Sequence, residues 1–295
     1  MAGVSYKWHG KLTPWLFILP TVIGLLVFRL VPIVSSFYLS FTDWSLLGSP
    51  AFLKLGNYKE LFGSREFLTI ILNTFQFSCI YVVGSIVLGL ALATLINVQF
   101  KGVSFFRAAI YLPVVTSAVA VGIVWNWMLG PTYGVINNII SAVGLTPPYW
   151  LGDMKLSLNT VAFVQVWKMS GYYMILFLAG LQNIPSETLE AARVDGANPV
   201  QSFFRITLPM LLPTVFFVLT IAIIDSFKNF ELIYAMTKGG PGNSSNTLVY
   251  DVYLNAFVYY RVGFASAIAY ILLIFVGLLT IGNLYIRKHY AQPLD

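Results

Sequence analysis

The chain has 295 residues, 58% of them hydrophobic and 9% charged, with a net charge of +6 and a single cysteine. A soluble domain carries about 25% charged residues, so a water-soluble fold is excluded and the positive balance reflects membrane topology and lipid headgroups, not a nucleic-acid partner. The expected class is an all-α multi-pass membrane protein, one transmembrane domain over residues 1–295, with the lipid bilayer as solvent.

About 20 apolar residues in a helix cross the hydrocarbon layer, and six windows qualify: 15–40, 69–97, 105–129, 158–182, 209–236 and 264–286. Stretches such as VVGSIVLGLALATLI are apolar at consecutive positions, which excludes the alternating strands of a membrane barrel. The opening MAGVSYKWHGKLTPW sets basic residues before the first window, but that window is too long for a signal core and ends in no small-residue cleavage pattern. It is expected to remain as a span, with Arg29 snorkelling and Pro32 bending it. Cys79, in the second window, reads as a small packing residue.

Orientation follows from Lys and Arg beside the spans. With the N-terminus cytoplasmic, that side holds Lys7, Lys11, Lys101, Arg107, Arg193, Arg205, Arg287 and Lys288; the other holds Lys54, Lys59, Arg65, Lys155, Lys238 and Arg261. Both termini are therefore expected in the cytoplasm. The loops of the opposite side, LGPTYG, LTPPYWLGD and TKGGPGNSSNT, are punctuated by Gly and Pro into turns. Trp8, Trp15, Trp44, Tyr149 and Trp150 suit the interfacial belt.

Residues 183–208 form a polar connection with Glu187, Glu190, Arg193, Asp195 and Arg205 between two apolar windows. Ser186 is placed to cap a helix, Glu187 to sit in its first turn and Gly196 to stop it; Asn198 caps again and Pro199 takes the next first position. Two short helices meeting at Asp195-Gly196 are expected.

Ionisable groups inside spans are costly and face a cavity or a partner. Gln165, Lys168 and Tyr172 recur at i, i+3 and i+7 on one helix; Asp225, Ser226 and Asn229 recur at i, i+1 and i+4 on the next, near Lys228 and Glu231. Two polar stripes could face one cavity, their carboxylate and amides serving hydroxyls. Equally, Lys168 could pair with Asp225 while Gln165 and Asn229 act as interhelical glue.

Several segments carry a resemblance. Glu190-Ala191-Ala192, Asp195-Gly196-Ala197 and Ile206-Thr207-Leu208-Pro209 are similar to the EAA loop of binding-protein-dependent ABC importer permeases. LSFTD at 39–43, GNYKELF at 56–62, FFRAAIYLP at 105–113 and FELIYAMTKGGPGNSSNTLVYDVYLNAF at 230–257 resemble the carbohydrate branch, with maltose and glycerol-phosphate permeases as relatives. The resemblance implies the type I importer fold in its six-helix form, without the two extra N-terminal spans and the large insertion of the maltose permease. It implies that Glu187, Glu190, Ala191, Ala192, Asp195, Gly196 and Ala197 seat in a cytoplasmic ATPase, small residues allowing close approach and acids fixing register. It implies that Gln165, Lys168, Met169 and Tyr172, with Asp225, Ser226 and Asn229, line the solute path, although the maltose-type site is neutral where this one carries Lys168 and Asp225. The implied partners are a second homologous permease subunit, an ATPase dimer holding ATP and Mg, an extracytoplasmic solute-binding protein and a sugar-like solute, in a bacterial or archaeal cytoplasmic membrane.

No GxxxxGK[ST] loop occurs, so the chain is expected to bind no cofactor and to draw energy from another subunit. His9 and His289 lie near the termini, and no HExxH, CxxC or GxSxG spacing supports enzymatic chemistry. The alternatives are a secondary carrier in which Lys168 and Asp225 relay protons, an assembly factor without solute, and a glycerol-phosphate rather than a sugar substrate.

Overall fold

The computed structural model describes residues 13–46, 48–98 and 101–290, with side chains from 15 to 288 in those ranges. Lys7, Trp8, His9, Lys11 and Asp295 lie outside the described residues, as does the side chain of His289. The described residues are helical as expected, with one isolated β-bridge between Thr42 and Phe52. Five helices are long and apolar enough to span a bilayer: α1 (Trp15–Leu39), α3 (Arg65–Ile96), α7 (Ser157–Gln182), α9 (Pro199–Ser226) and α12 (Val262–Tyr290). Short helices α2 (Gly56–Gly63), α6 (Val135–Ala142), α8 (Ser186–Val194), α10 (Glu231–Met236) and α11 (Leu248–Val258) lie between them.

Two expected spans differ. Window 105–129 is not one helix but α4 (Val103–Val115) and α5 (Ala118–Met128), bent by 96°. Thr116 is extended at ψ 148 and Ser117 at ψ 129, next to Pro113, which has no amide to donate. Window 209–236 stops at Ser226, and α10 is separate, so Lys228, Asn229 and Glu231 stand beyond the helix instead of continuing its face. Long apolar runs lead into both breaks, so a window average carries across them. Cys79 is exposed rather than packed.

Of the described residues, 64–252 and 271–290 cluster as one compact unit, and those from 13 to 63 with 253–270 as another. In the latter, α1 buries none of its apolar window, as expected of a helix solvated by lipid. Its π turn at Leu26–Leu30, which contains Arg29, lets the Val31 amide reach back to Leu26 just before Pro32. After α1 the chain is pinned by buried Asn57, whose amide donates to the Ser40 and Thr42 carbonyls at 2.8 Å each. Arg261 forks onto Glu60 at 2.7 and 2.8 Å and lies 4.1 Å over the Phe264 ring.

The larger unit is built on the pairing of α3 with α7. A Cβ at Gly89 would fall 2.7 Å from the Tyr173 Cβ, so only glycine permits this approach. The end of α12 ties to α9 through Asn283, whose amide donates to Thr220 Oγ1 at 2.6 Å and to the Phe216 carbonyl at 3.2 Å. The loop at 237–247, expected as a chain of turns, is folded inward. Asn73 donates to the Asn243 and Asn246 carbonyls at 2.9 and 3.1 Å, and Ser245, Asn246 and Thr247 are buried.

Asp251, just beyond that loop and outside the long spans, is also buried. Burial pushes its carboxyl up to about 6; the Asn246 side chain holds it partly down and the charge of Glu66 adds to the rise. Between the ordinary carboxylate range and this value the folded protein holds a proton that the unfolded chain has lost. Stability therefore falls as pH rises from about 4 to 6 and stays at the lower level above that. Thermal unfolding should show a higher midpoint at pH 5 than at pH 7.5, and Asp251→Asn should remove most of that difference, a recovery of about 2 kcal/mol at pH 7.5. A variant that keeps the wild-type pH dependence would remove Asp251 as its source.

Candidate functional site

The polar connection is a stiff elbow whose turn is fully hydrogen-bonded. Helix α8 ends in a Schellman arrangement: the Ala197 amide bonds back to the Ala192 carbonyl at 2.9 Å and the Gly196 amide to the Arg193 carbonyl at 3.1 Å. Gly196 sits at φ +80, the left-handed conformation this stop requires. Asn198 then forms a reciprocal capping box with Gln201, at 2.8 and 3.0 Å, and Pro199 opens the next helix. The start differs from expectation: Pro185 is the flanking residue, and Ser186 is the first helical residue rather than a side-chain cap. The second helix is not short: it is the first turn of α9, which continues through a π turn at Phe203–Thr207 to Ser226.

Glu187, Glu190, Ala191, Asp195 and Gly196 are exposed, Ala197 is half-buried and Ala192 is buried. Val194 is 87% exposed at the tip, and Val200 and Phe204 further along the connection are exposed as well. Behind the elbow a cavity of about 420 Å³ reaches Thr94, Asn97, Leu181, Arg193 and Phe203.

The second region lies where α3, α7 and α9 meet. The hydroxyls of Tyr81 and Tyr173 are 2.9 Å apart, and the Tyr173 hydroxyl donates to Asp225 Oδ2 at 3.4 Å. Tyr172 stands edge-on to Tyr173, with ring centroids 5.3 Å apart. Gln165 Oε1 and Asn229 Nδ2 are buried with no hydrogen-bond partner in the protein, an acceptor and a donor left open. The expected stripe is otherwise dispersed. Ser226 Oγ donates to its own helix, to the Ile223 carbonyl at 2.7 Å. Lys168 does not pair with Asp225: its Nζ donates to the Val114 carbonyl at 3.2 Å. Tyr173, which no residue spacing singled out, is the hydroxyl that reaches the acid, and Tyr81 reaches it only through Tyr173.

The chain and its fold match known proteins. Residues 85–289 fit the family described as binding-protein-dependent transport system inner membrane component. The chain belongs to that family. The permease is 40% identical over 276 residues to the probable ABC transporter permease protein YesP of Bacillus subtilis, covering 92% of this chain and 89% of the relative. It is 35% identical over 271 residues to the arabinooligosaccharides transport system permease protein AraP of the same organism, covering 90% and 85%. Among solved structures, a chain of a bacterial ABC transporter involved in the import of the acidic polysaccharide alginate superposes with TM-score 0.85 at 25% identity, covering 95% of this chain and 96% of the other. The permease is therefore a multi-pass inner-membrane component of an ABC importer, with a type I importer permease fold, and is the membrane part of such a system rather than its ATPase.

Proposed function

We propose that the permease carries a saccharide or saccharide-like solute across the cytoplasmic membrane, with a second homologous permease subunit, two ATPase subunits that hold ATP and Mg, and an extracytoplasmic solute-binding protein. Both termini and the elbow at residues 187–208 face the cytoplasm. The ATPase grips Glu187, Glu190 and Asp195 around the backbone of Ala191, Ala192, Gly196 and Ala197, and its closure is passed along α9, which is continuous with the elbow.

One observation carries the solute class: relatives matching at least 90% of this chain include one named for arabinooligosaccharide transport. The polar cluster suits that chemistry. Asp225 and Gln165 Oε1 accept from hydroxyls and Asn229 Nδ2 donates to them, while Tyr172 offers a ring for the apolar face of a sugar. The glycerol-phosphate alternative fits less well, because Asp225 would repel a phosphate and Lys168 is engaged by the Val114 carbonyl. The proton-relay alternative needs a Lys168–Asp225 contact that the helices do not make.

Reconstitution of the whole complex in vesicles tests this reading. Uptake of labelled oligosaccharides should require ATP inside and the binding protein outside, and survive collapse of the proton gradient. Uptake that persists without the ATPase and ceases with the gradient would overturn it.

A further inference from the structure

Lys168 is 6% exposed, and its ammonium lies on a carbonyl rather than a carboxylate. That carbonyl belongs to Val114, in the last turn of α4, where the break at Thr116 and Ser117 removes the amides that would continue the helix. The neighbouring Pro113 carbonyl is taken by Thr116 Oγ1 at 2.6 Å. A cation at the carbonyl end of a helix also meets the negative end of its dipole.

The same face of α7 holds both arms of the break. At Gly171 a Cβ would lie 2.4 Å from the Ile110 carbonyl oxygen, so the backbones of α4 and α7 touch there. Trp167 stands edge-on to Trp125 of α5, with ring centroids 5.4 Å apart. The arm α5 in turn carries α10: a Cβ at Gly122 would meet that of Ala235 at 2.7 Å, and Asn126 donates to the Met236 carbonyl at 3.0 Å. Helix α10 directly follows Asp225 and Asn229 in the chain.

We propose that Lys168 is a positioning residue: by holding the Val114 carbonyl it sets the angle between α4 and α5, and through α5 the seat of α10 beside the solute path. It acts on the path without binding solute.

The test uses the complete complex with Cys79→Ser and spin labels at exposed Phe105 and Ile123, one on each arm. Lys168→Met, which keeps length and loses the donor, should shift or broaden the distance distribution, and Lys168→Arg should restore it. In vesicles the Met variant should lose roughly tenfold in maximal uptake rate with KM within about twofold of wild type. If Lys168→Met fails to assemble, Lys168→Gln is measured in the same way, and a shift or broadening supports the proposal. In either variant, a wild-type distance distribution with the change confined to KM would make Lys168 a solute ligand and overturn it. Distances are recorded without solute, so an error in the solute class leaves them unaffected.

Discussion

Glu190→Lys is expected to abolish ATP-driven uptake and to release the ATPase subunits during purification. Glu190 is exposed on α8 and makes no hydrogen bond or ion pair within the described residues, so the permease itself should fold and insert as the wild type does. The cost falls on the contact with the motor. Reversing a charge at a docked surface removes a charge-assisted hydrogen bond and adds repulsion, together about 3 kcal/mol or more. That corresponds to roughly a 100-fold loss of affinity. Co-purification of ATPase with tagged permease, measured beside uptake, separates the two effects. Wild-type recovery of both would remove Glu190 from the contact.

Asp225→Ala should leave assembly intact and lower kcat/KM for uptake by about 10- to 100-fold, the loss of about 1.5–3 kcal/mol from hydrogen bonds to a charged acceptor. Tyr173 gives the carboxylate one donor at 3.4 Å, so acceptor capacity remains for a hydroxylated solute. Tyr173→Phe should do less, because Asp225 stays in place while one held contact is lost; a decrease of a few-fold is expected. Initial rates in vesicles against solute concentration check both. If Asp225→Ala retains wild-type kinetics, Asp225 serves packing and not passage.

These effects rest on features that differed in how far the sequence exposed them. The elbow was legible because its signals are local: Asn198, Pro199 and Gln201 make a capping box within four residues, and Gly196 stops the helix before it. Ser186 is not the cap for an equally local reason: Pro185 already occupies the flanking position with the extended backbone a cap requires. The break at Thr116 and Ser117 could not be read from composition. The Val114 carbonyl finds its partner in Lys168, 54 residues further along, and hydropathy records that lysine only as a cost within a helix. The stripe of Asp225, Ser226 and Asn229 assumed a helix that ends at Ser226. Tyr81 and Tyr173 lie in apolar runs, although the two hydrogen bonds in series from Tyr81 through Tyr173 to Asp225 link three helices. Where chemistry depends on partners distant in sequence, residue spacing identifies the helix but not the contact.

The decisive measurement is a photo-crosslink from the tip of the elbow in the native membrane. Val194, the most exposed apolar residue there, is replaced by a photoreactive amino acid and the captured partner is identified by mass spectrometry. The predicted product joins the permease to a nucleotide-binding ATPase subunit. Capture of the extracytoplasmic binding protein at Val194 would place the elbow on the wrong side of the membrane and contradict the account.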